Sequence, residues 1–187
     1  ISEHSYRLKL KMALRKDRFG ANVVKTLTLA DLKKFQKHTI VSSVQCGGNR
    51  RSEMDKIAKT AGTPWGVAAI STAEWSGALL RDVLQFLDSG DYEEAGYSHV
   101  MFSAPEGLQA SVPLHKAISR RGDVLLAYEM NGKPLEPQHG FPVRVIVPGH
   151  AGVRNVKWVT EIEVSDEEAD GPWQRGMSYK GFNPSVG

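Results

Sequence analysis

The sequence predicts an α+β fold with a mixed or largely antiparallel sheet and short helices. Segments with strand-like alternation or β-branched runs outnumber segments with helical apolar spacing. No regular succession of strand, helix and strand appears, so the parallel sheet of an α/β protein is not expected. The 187 residues are 41% hydrophobic and 24% charged, which is ordinary globular composition. We therefore expect one domain over residues 1–187.

The first predicted elements are a strand, a short helix and a second strand. Apolar residues alternate with basic ones over residues 6–14, the period of a half-buried strand. Thr28 and Asp31 have the spacing of a capping box, which predicts a short helix through Phe35. Residues 38–45 are rich in β-branched residues and predict a strand. That strand would deliver the one cysteine of the chain into a Gly-Gly-Asn turn.

The second half of the chain is predicted to consist mainly of strands. Residues 78–87 have helical apolar spacing and predict a helix. The predicted strands lie at 97–102, 123–130, 142–147 and 155–164. Asn131 and Gly132 form a dipeptide that is typical of a two-residue hairpin turn.

Composition excludes several classes of protein. The net charge of +3 is small and its lysines and arginines are scattered, which is typical of a solvated surface rather than a nucleic-acid-binding one. No apolar run approaches the roughly 18 residues of a membrane span. A single cysteine excludes an internal disulfide and makes a zinc site unlikely. The chain begins at Ile1 rather than Met, so we expect a processed or partial chain.

The segment around Cys46 is the strongest chemical signal. Two glycines follow the cysteine and let a bound group approach the backbone closely. Arg50 and Arg51 add positive potential, which favours the thiolate form. Such a segment suits a nucleophile, a soft-metal ligand or an anion pocket. A buried and inert cysteine is an equally ordinary interpretation of these residues alone.

Several motifs along the chain, taken with the cysteine segment, resemble one family. They are QCGGNRRSEM at 45–54, WG at 65–66, AISTAEWSG at 69–77, LAYEMNG at 126–132, HGFPVRV at 139–145, VKW at 156–158 and YKGFNPSV at 179–186. Their order and content are similar to the molybdenum-cofactor domain of eukaryotic sulfite oxidases, with Gly47 where alanine is usual. The resemblance covers nearly the whole chain and implies a sulfite oxidase-type molybdopterin-binding fold.

The resemblance implies a metal ligand and a substrate pocket. Cys46 matches the thiolate that binds molybdenum, a role suited to a soft sulfur ligand. Arg51, Trp65 and Tyr179 match the family's oxyanion pocket and are the expected catalytic residues. Arg51 would bind sulfite or sulfate oxygens, Tyr179 would donate a phenolic hydrogen bond, and Trp65 would wall the pocket. Without the resemblance, a salt-bridged arginine and two core aromatics would be the ordinary interpretation.

The resemblance also implies a binding site for the molybdenum-molybdopterin cofactor. His139, Arg144 and Lys157 match segments that hold the pterin and its phosphate. Phosphate requires fixed cations and backbone donors, and the loop that ends at Arg154 could supply both. Taken alone, Lys157 would be an outward-facing strand lysine. An acidic contact to the pterin is not cleanly aligned, and Glu106 is a weak candidate for it.

The implied activity is oxidation of sulfite to sulfate by oxygen-atom transfer. Electrons would leave to an external acceptor, either a cytochrome-type protein or oxygen, because no haem-binding segment is present. Relative to the family, the chain is expected to lack an upstream Arg- and His-bearing segment and a C-terminal dimerisation domain. A homodimer is then expected only of the full-length protein. The mitochondrial intermembrane space is favoured as the location over a peroxisome or periplasm.

Two alternatives to a sulfite-oxidising enzyme stay open. A eukaryotic nitrate reductase also has this domain and the cysteine motif, although RSEM and YKGF look more like sulfite oxidase. A non-catalytic structural subunit could retain the fold and have lost the metal. The presence of Cys46, Arg51 and Tyr179 argues against such decay, since these residues have no obvious packing value.

Overall fold

The computed structural model describes residues 2–14, 23–176 and 179, and these residues form two β-sheets with short helices. The strands are β1 (Leu8–Ala13), β2 (Val23–Leu27), β3 (Lys37–Gln45), β4 (Ile70–Leu79), β5 (His99–Ser103), β6 (Gln109–Pro113), β7 (Leu125–Met130), β8 (Lys133–Pro134), β9 (Arg144–Ile146) and β10 (Glu161–Ser165). The helices are α1 (Leu29–Leu32), α2 (Arg51–Met54), α3 (Leu80–Leu87) and α4 (Leu114–Ile118). Short 3₁₀ turns lie at Pro105–Gly107, Pro137–His139 and Gly152–Arg154. The predicted α+β class is confirmed.

The first sheet has the strand order β2-β1-β10-β5-β6. Its strands β1 and β10 are parallel, with Lys9 opposite Glu161, and the other neighbours are antiparallel. The Lys11 ammonium lies 2.7 Å from the Glu161 carboxylate across the parallel pair. This sheet is therefore mixed, and it joins the beginning of the chain to a strand near residue 163.

The second sheet is antiparallel, with the order β3-β4-β7-β8 and with β9 also paired to β7. The register of β4 against β7 shifts between Ser76 and Gly77, which marks a β-bulge. A Cβ at Gly77 would lie 2.0 Å from the carbonyl oxygen of Leu126. Only glycine therefore allows the two strands to approach this closely.

The main core lies between the two sheets and also takes in the helices α1, α3 and α4. Its members include Leu8, Leu10, Leu32, Leu84, Phe102, Leu126 and Ile162, each fully or almost fully buried. A smaller cluster on the other face of the second sheet contains Trp75, Leu79, Leu125 and Ile146. Burial of each large apolar side chain contributes about 1.5–3 kcal/mol. No helix among the described residues is long and apolar enough to cross a bilayer.

Several local predictions are confirmed by hydrogen bonds. Thr28 and Asp31 form the capping box, with the Asp31 amide donating to the Thr28 hydroxyl and the Thr28 amide donating to the Asp31 carboxylate. Asn131 and Gly132 have φ values of 51° and 74° and connect β7 to β8. These values are those of the two-residue turn that an Asn-Gly pair favours.

Other boundaries differ from the predictions for physical reasons. The predicted helix 78–87 begins at Leu80, because residues 78–79 belong to β4 and pair with β7. The predicted strand 155–164 is only Glu161–Ser165, since Trp158 has a φ of 54° that extended backbone does not allow. The strands β2, β4 and β6 and the helices α2 and α4 were not predicted. Their segments are short or lack a clean alternation, so tertiary pairing rather than local pattern determines them.

Candidate functional site

Cys46 directly follows β3 and opens a tight turn. Its amide donates to the Ala69 carbonyl at 2.9 Å, and its carbonyl accepts from the Asn49 amide at 3.0 Å. The Gly48 amide donates to Cys46 Sγ at 3.4 Å. The thiol is partly exposed rather than sealed in the core. This geometry argues against the inert buried cysteine and leaves the sulfur available to a ligand.

Two cavities meet at Cys46 and Gly47. One, of about 490 Å³, is walled by Trp173 and Tyr179 together with the end of β3, and we call it the aromatic cavity. The other, of about 410 Å³, is lined by Ser42, Ser43 and the loop with His150, and we call it the serine–histidine cavity. A Cβ at Gly47 would have no atom within 4 Å. The cysteine thus lies where a group could extend into both cavities.

Arg51 and Trp65 pack on the turn that follows Cys46. A Cβ at Gly48 would lie 2.8 Å from Trp65 Cδ1 and 3.0 Å from Arg51 Nη2. The guanidinium also lies against Gly62. Hydrogen bonds from Thr60 lower the pKa of the Asp55 carboxyl, and the Arg51 charge contributes to the same effect. Neither side chain lines either of the two cavities. The structure therefore places the two predicted residues together, beside the cysteine turn.

Tyr179 is brought to the aromatic cavity, where it is 44% exposed. The rest of the predicted motif at 180–186 lies outside the described residues. Arg154 is 7% exposed, and its Nη1 donates to the Trp173 carbonyl at 2.7 Å. Its Nη2 donates to the Tyr179 carbonyl at 3.3 Å. Burial lowers the pKa of Arg154, although the nearby Glu168 carboxylate opposes that effect.

His139, Arg144 and Lys157 form a cationic cluster around Gly140. A Cβ at Gly140, whose φ is 107°, would lie 3.0 Å from the Cβ atoms of both Arg144 and Lys157. Arg144 Nη1 donates to the His139 carbonyl at 3.0 Å, and Lys157 Nζ donates to the Gln138 carbonyl at 2.9 Å. The three predicted cofactor-binding residues are therefore neighbours in the fold.

The electrostatics of this cluster are unusual because Arg144 is buried. Burial lowers the pKa of Arg144 to about 10, and Arg144 Nε has no hydrogen-bond partner among the described residues. Burial also lowers the pKa of Lys157, with a further contribution from the Arg144 charge. A buried cation with an unsatisfied donor is costly unless an anion meets it. The cluster is therefore suited to a negatively charged group such as a phosphate.

Two residues that were not predicted connect this cluster to the cavities. The Arg144 guanidinium lies 4.8 Å from the ring centre of Trp75, and Trp75 Nε1 donates to the Ser42 carbonyl at 3.1 Å. Asn155 accepts from Arg144 through its carbonyl and donates from Nδ2 to the His150 carbonyl at 3.3 Å. Both links lead to the wall of the serine–histidine cavity.

Sequence reasoning also missed His150 and Trp173, which line the two cavities. His150 lies in the loop that ends at Arg154 and was not singled out, and Trp173 belongs to no quoted motif. A tryptophan near the predicted Tyr179 segment was the one available signal. Glu106, the weak acidic candidate, is exposed in a 3₁₀ turn and lines neither cavity.

Comparison with known proteins assigns the chain to a class. The family model described as "Oxidoreductase molybdopterin binding domain" matches residues 2–173. Mitochondrial sulfite oxidase of Drosophila melanogaster is 50% identical over 170 residues, which cover 87% of this chain and 29% of that protein. Nitrate reductase [NADH] of Ulva prolifera is 34% identical over 169 residues, which cover 86% of this chain and 19% of that protein.

A solved structure gives the same result. The crystal structure of the sulfane dehydrogenase SoxCD from Paracoccus pantotrophus has a TM-score of 0.70 and 25% identity, covering 92% of this chain and 41% of that chain. The fold and the family match thus define an oxidoreductase domain that binds molybdopterin. The chain belongs to the oxidoreductase molybdopterin-binding domain family, and its cofactor is molybdenum-molybdopterin. The chain spans less than half the length of each of these relatives.

The described residues fit this cofactor. A partly exposed thiol at the junction of two cavities is a suitable ligand for a thiophilic metal. The unsatisfied Arg144 Nε and its neighbour Lys157 are suited to a phosphate.

Proposed function

We propose that this domain oxidises sulfite to sulfate by oxygen-atom transfer, with the Cys46 thiolate as the protein ligand of molybdenum. The observation that carries the proposal is the position of Cys46, which borders both cavities. The higher identity to a sulfite oxidase, 50% against 34% to a nitrate reductase, supports sulfite as the substrate. When bound, the molybdenum centre supplies the oxygen atom that sulfite gains and takes up the two electrons that sulfite loses.

The turn around Cys46 fixes the position of the sulfur that a metal would bind. The Gly48 amide donates to Sγ at 3.4 Å. The Cys46 amide bond to Ala69 fixes the backbone on the other side. The cysteine is thereby held in one orientation before any ligand binds, which reduces the entropic cost of ligation.

Arg51, Trp65 and Tyr179 are the residues that we assign to substrate. Arg51 would bind the sulfite and sulfate oxygens through charge-assisted hydrogen bonds from its guanidinium, which lies against Gly48 in the turn after Cys46. Trp65 packs against the same turn and would exclude water from one side. Tyr179 lines the aromatic cavity next to Cys46, where its hydroxyl could donate to a substrate oxygen.

The cationic cluster would hold the anionic end of the cofactor. Arg144 and Lys157 supply charge, and Arg144 Nε supplies an unsatisfied donor. His139 lies beside them, with Nδ1 3.8 Å from the Glu136 carboxylate. The contact that was predicted between Arg154 and the cofactor stays a prediction.

The partners and the location follow from the same relationship. Electrons would pass to an external acceptor, a cytochrome-type protein or oxygen. The Drosophila relative is named a mitochondrial protein, so we propose a mitochondrial location, in the intermembrane space. A homodimer is proposed for the full-length protein only.

The first experiment is molybdenum content by elemental mass spectrometry, followed by sulfite-dependent reduction of an electron acceptor. We expect near-stoichiometric metal in the native protein and loss of activity by at least roughly 100-fold in Cys46→Ser, because an oxygen ligand binds a thiophilic metal poorly. Gly47→Ala, which alters the same turn without a steric contact, is the matched control.

Other outcomes separate the alternatives. Nitrate-dependent turnover without sulfite oxidation would assign the domain to the nitrate reductases. Folded native protein without molybdenum would leave a non-catalytic structural relative as the better account.

A further inference from the structure

We propose that Arg154 is a positioning residue, which holds the segment bearing Trp173 and Tyr179 in place as the wall of the aromatic cavity. This inference rests on the proposed function of that cavity and deepens it. Arg154 donates to the carbonyls of both aromatic residues, at 2.7 Å and 3.3 Å, and both residues line the cavity beside Cys46.

The other end of Arg154 is fixed to the cysteine strand. Arg154 closes the 3₁₀ turn Gly152–Arg154, and the preceding Ala151 forms a parallel bridge with Gln45. A Cβ at Gly152 would lie 3.2 Å from the Gln45 carbonyl oxygen, so the turn is packed directly on the end of β3. Arg154 therefore joins two sides of one cavity, the strand that ends at the cysteine and the aromatic segment.

A second set of hydrogen bonds holds the same segment on the side that faces the first sheet. Gln174 is 5% exposed, and its Oε1 accepts from the Ser111 amide at 3.1 Å on β6. The Ala169 amide donates to the Ser111 hydroxyl at 2.9 Å. These bonds attach the segment to the first sheet but do not reach the cavity. Among the described residues, Arg154 is thus the side chain that donates to the backbone of both Trp173 and Tyr179.

The role requires arginine rather than another cation. The two backbone carbonyls accept from Nη1 and Nη2, the two arms of the planar arginine fork, whereas lysine carries all its donors on one nitrogen at the end of a flexible stem. Backbone carbonyls are neutral, so the bonds do not cancel the buried charge. Arg154→Lys therefore keeps the positive charge and removes the planar fork. Its effect reports the loss of the two directed hydrogen bonds rather than the loss of the charge.

The test compares Arg154→Lys with wild type in the full chain by hydrogen exchange and by kinetics. Arg175→Gln is the matched control, because Arg175 lies in the same segment but is exposed and bonds to Glu167. In Arg154→Lys we expect faster exchange confined to residues 169–176 and 179, with exchange in β1 and β10 unchanged. In the cofactor-loaded protein we expect molybdenum content to stay near wild type while the KM for sulfite rises roughly 10-fold, equivalent to about 1.4 kcal/mol, more than kcat changes.

The opposite results would overturn the proposal. Unchanged exchange over residues 169–176 and 179 would show that Arg154 does not hold the segment. Loss of molybdenum without a change in exchange would assign Arg154 to the cofactor instead. Faster exchange spread equally over β1 and β10 would mean general destabilisation. If the wild-type protein fails to oxidise sulfite, the exchange experiment still decides the role of Arg154, so the two proposals fail separately.

Discussion

Gly47 and Gly48 are adjacent in the cysteine turn but have different surroundings. A Cβ at Gly48 would come within 2.8 Å of Trp65 and 3.0 Å of Arg51, whereas a Cβ at Gly47 would meet nothing within 4 Å. Neither residue has the left-handed backbone that would exclude alanine. The contrast between them is therefore one of contacts and not of backbone conformation.

We expect Gly48→Ala to displace Trp65 and Arg51, which raises the KM for sulfite several-fold and destabilises the fold by about 1–3 kcal/mol. Gly47→Ala should leave the KM for sulfite unchanged. It should stabilise the fold by up to about 1 kcal/mol, because alanine lowers the conformational entropy of the unfolded chain. Steady-state kinetics and urea unfolding of both variants measure the difference. Equal effects of the two substitutions would contradict the packing described for this turn.

At this scale the sequence predicted residue types better than their contacts. The motifs identified Cys46, Arg51 and Tyr179, and the structure places all three at or beside one turn and its adjoining cavity. The two carbonyls that accept from Arg154 were not predictable, because a backbone carbonyl has no sequence signature. Trp75 was missed because its partners Ser42 and Arg144 lie far away in the chain. Asn155 was missed because the partners of its side chain are backbone groups.

The capping box of α1 makes a prediction about pH at the scale of the element. The hydrogen bonds from Lys34 and from the hydroxyl and amide of Thr28 hold the pKa of the Asp31 carboxyl well below its usual range. A lowered folded-state pKa stabilises the fold above the unfolded value of about 4, and that contribution is lost as the pH falls further. Asp31→Asn should therefore be less stable than wild type at pH 7, with a gap that closes below about pH 4.

Urea unfolding of the two proteins between pH 3 and pH 7 measures that gap. The prediction fails if the difference between Asp31→Asn and wild type stays constant over the whole range.

The β-bulge in β4 makes a second prediction at this scale. Because a Cβ at Gly77 would lie 2.0 Å from the Leu126 carbonyl oxygen, Gly77→Ala should force β4 away from β7. We expect a loss of at least about 3 kcal/mol, beyond the range of most single substitutions. Gly66→Ala, where a Cβ has nothing within 4 Å, is the control and should change little. Thermal unfolding compares them, and a small loss in Gly77→Ala would show that the strands can separate at low cost.

Elements with strong local signals were predicted, and elements defined by pairing were not. The strand that became β3, the capping box and the Asn-Gly turn each have a recognisable local pattern. The strands β2 and β6 flank the first sheet and have only five residues each. Seven of the ten residues of β4 are polar or small, and its burial comes from lying between β3 and β7. Such burial is a property of the sheet and cannot be derived from a single segment.

At the scale of the whole molecule, the buried cation Arg144 links cofactor binding to stability. Burial lowers the pKa of Arg144 to about 10, so its charge is poorly solvated in the cofactor-free fold. An anion that meets this charge should stabilise the folded state by mass action. We expect the gain in Tm on cofactor loading to be smaller in Arg144→Gln than in wild type. The difference should be about 2–4 °C for each kcal/mol of cofactor-dependent stabilisation that the substitution removes.

Calorimetry of the cofactor-loaded and cofactor-free forms measures this difference. Arg81→Gln removes an arginine that is remote from the cavities and bonds to Asp82 and the Arg120 carbonyl, so it serves as the control. An equal gain in wild type and Arg144→Gln would show that Arg144 does not face the cofactor.

The parallel pairing of β1 with β10 has a consequence for biosynthesis. Leu10 pairs with Ile162, so about 150 residues must leave the ribosome before the first strand meets its central partner. Until then β1 has only β2 beside it, and its buried face lacks the strands that cover it in the finished sheet. The second sheet, whose strands all lie between residues 37 and 146, can assemble earlier during translation. A nascent chain halted before residue 161 should therefore contain an ordered second sheet, an unprotected N-terminal strand that chaperones can recognise, and no mature cofactor pocket.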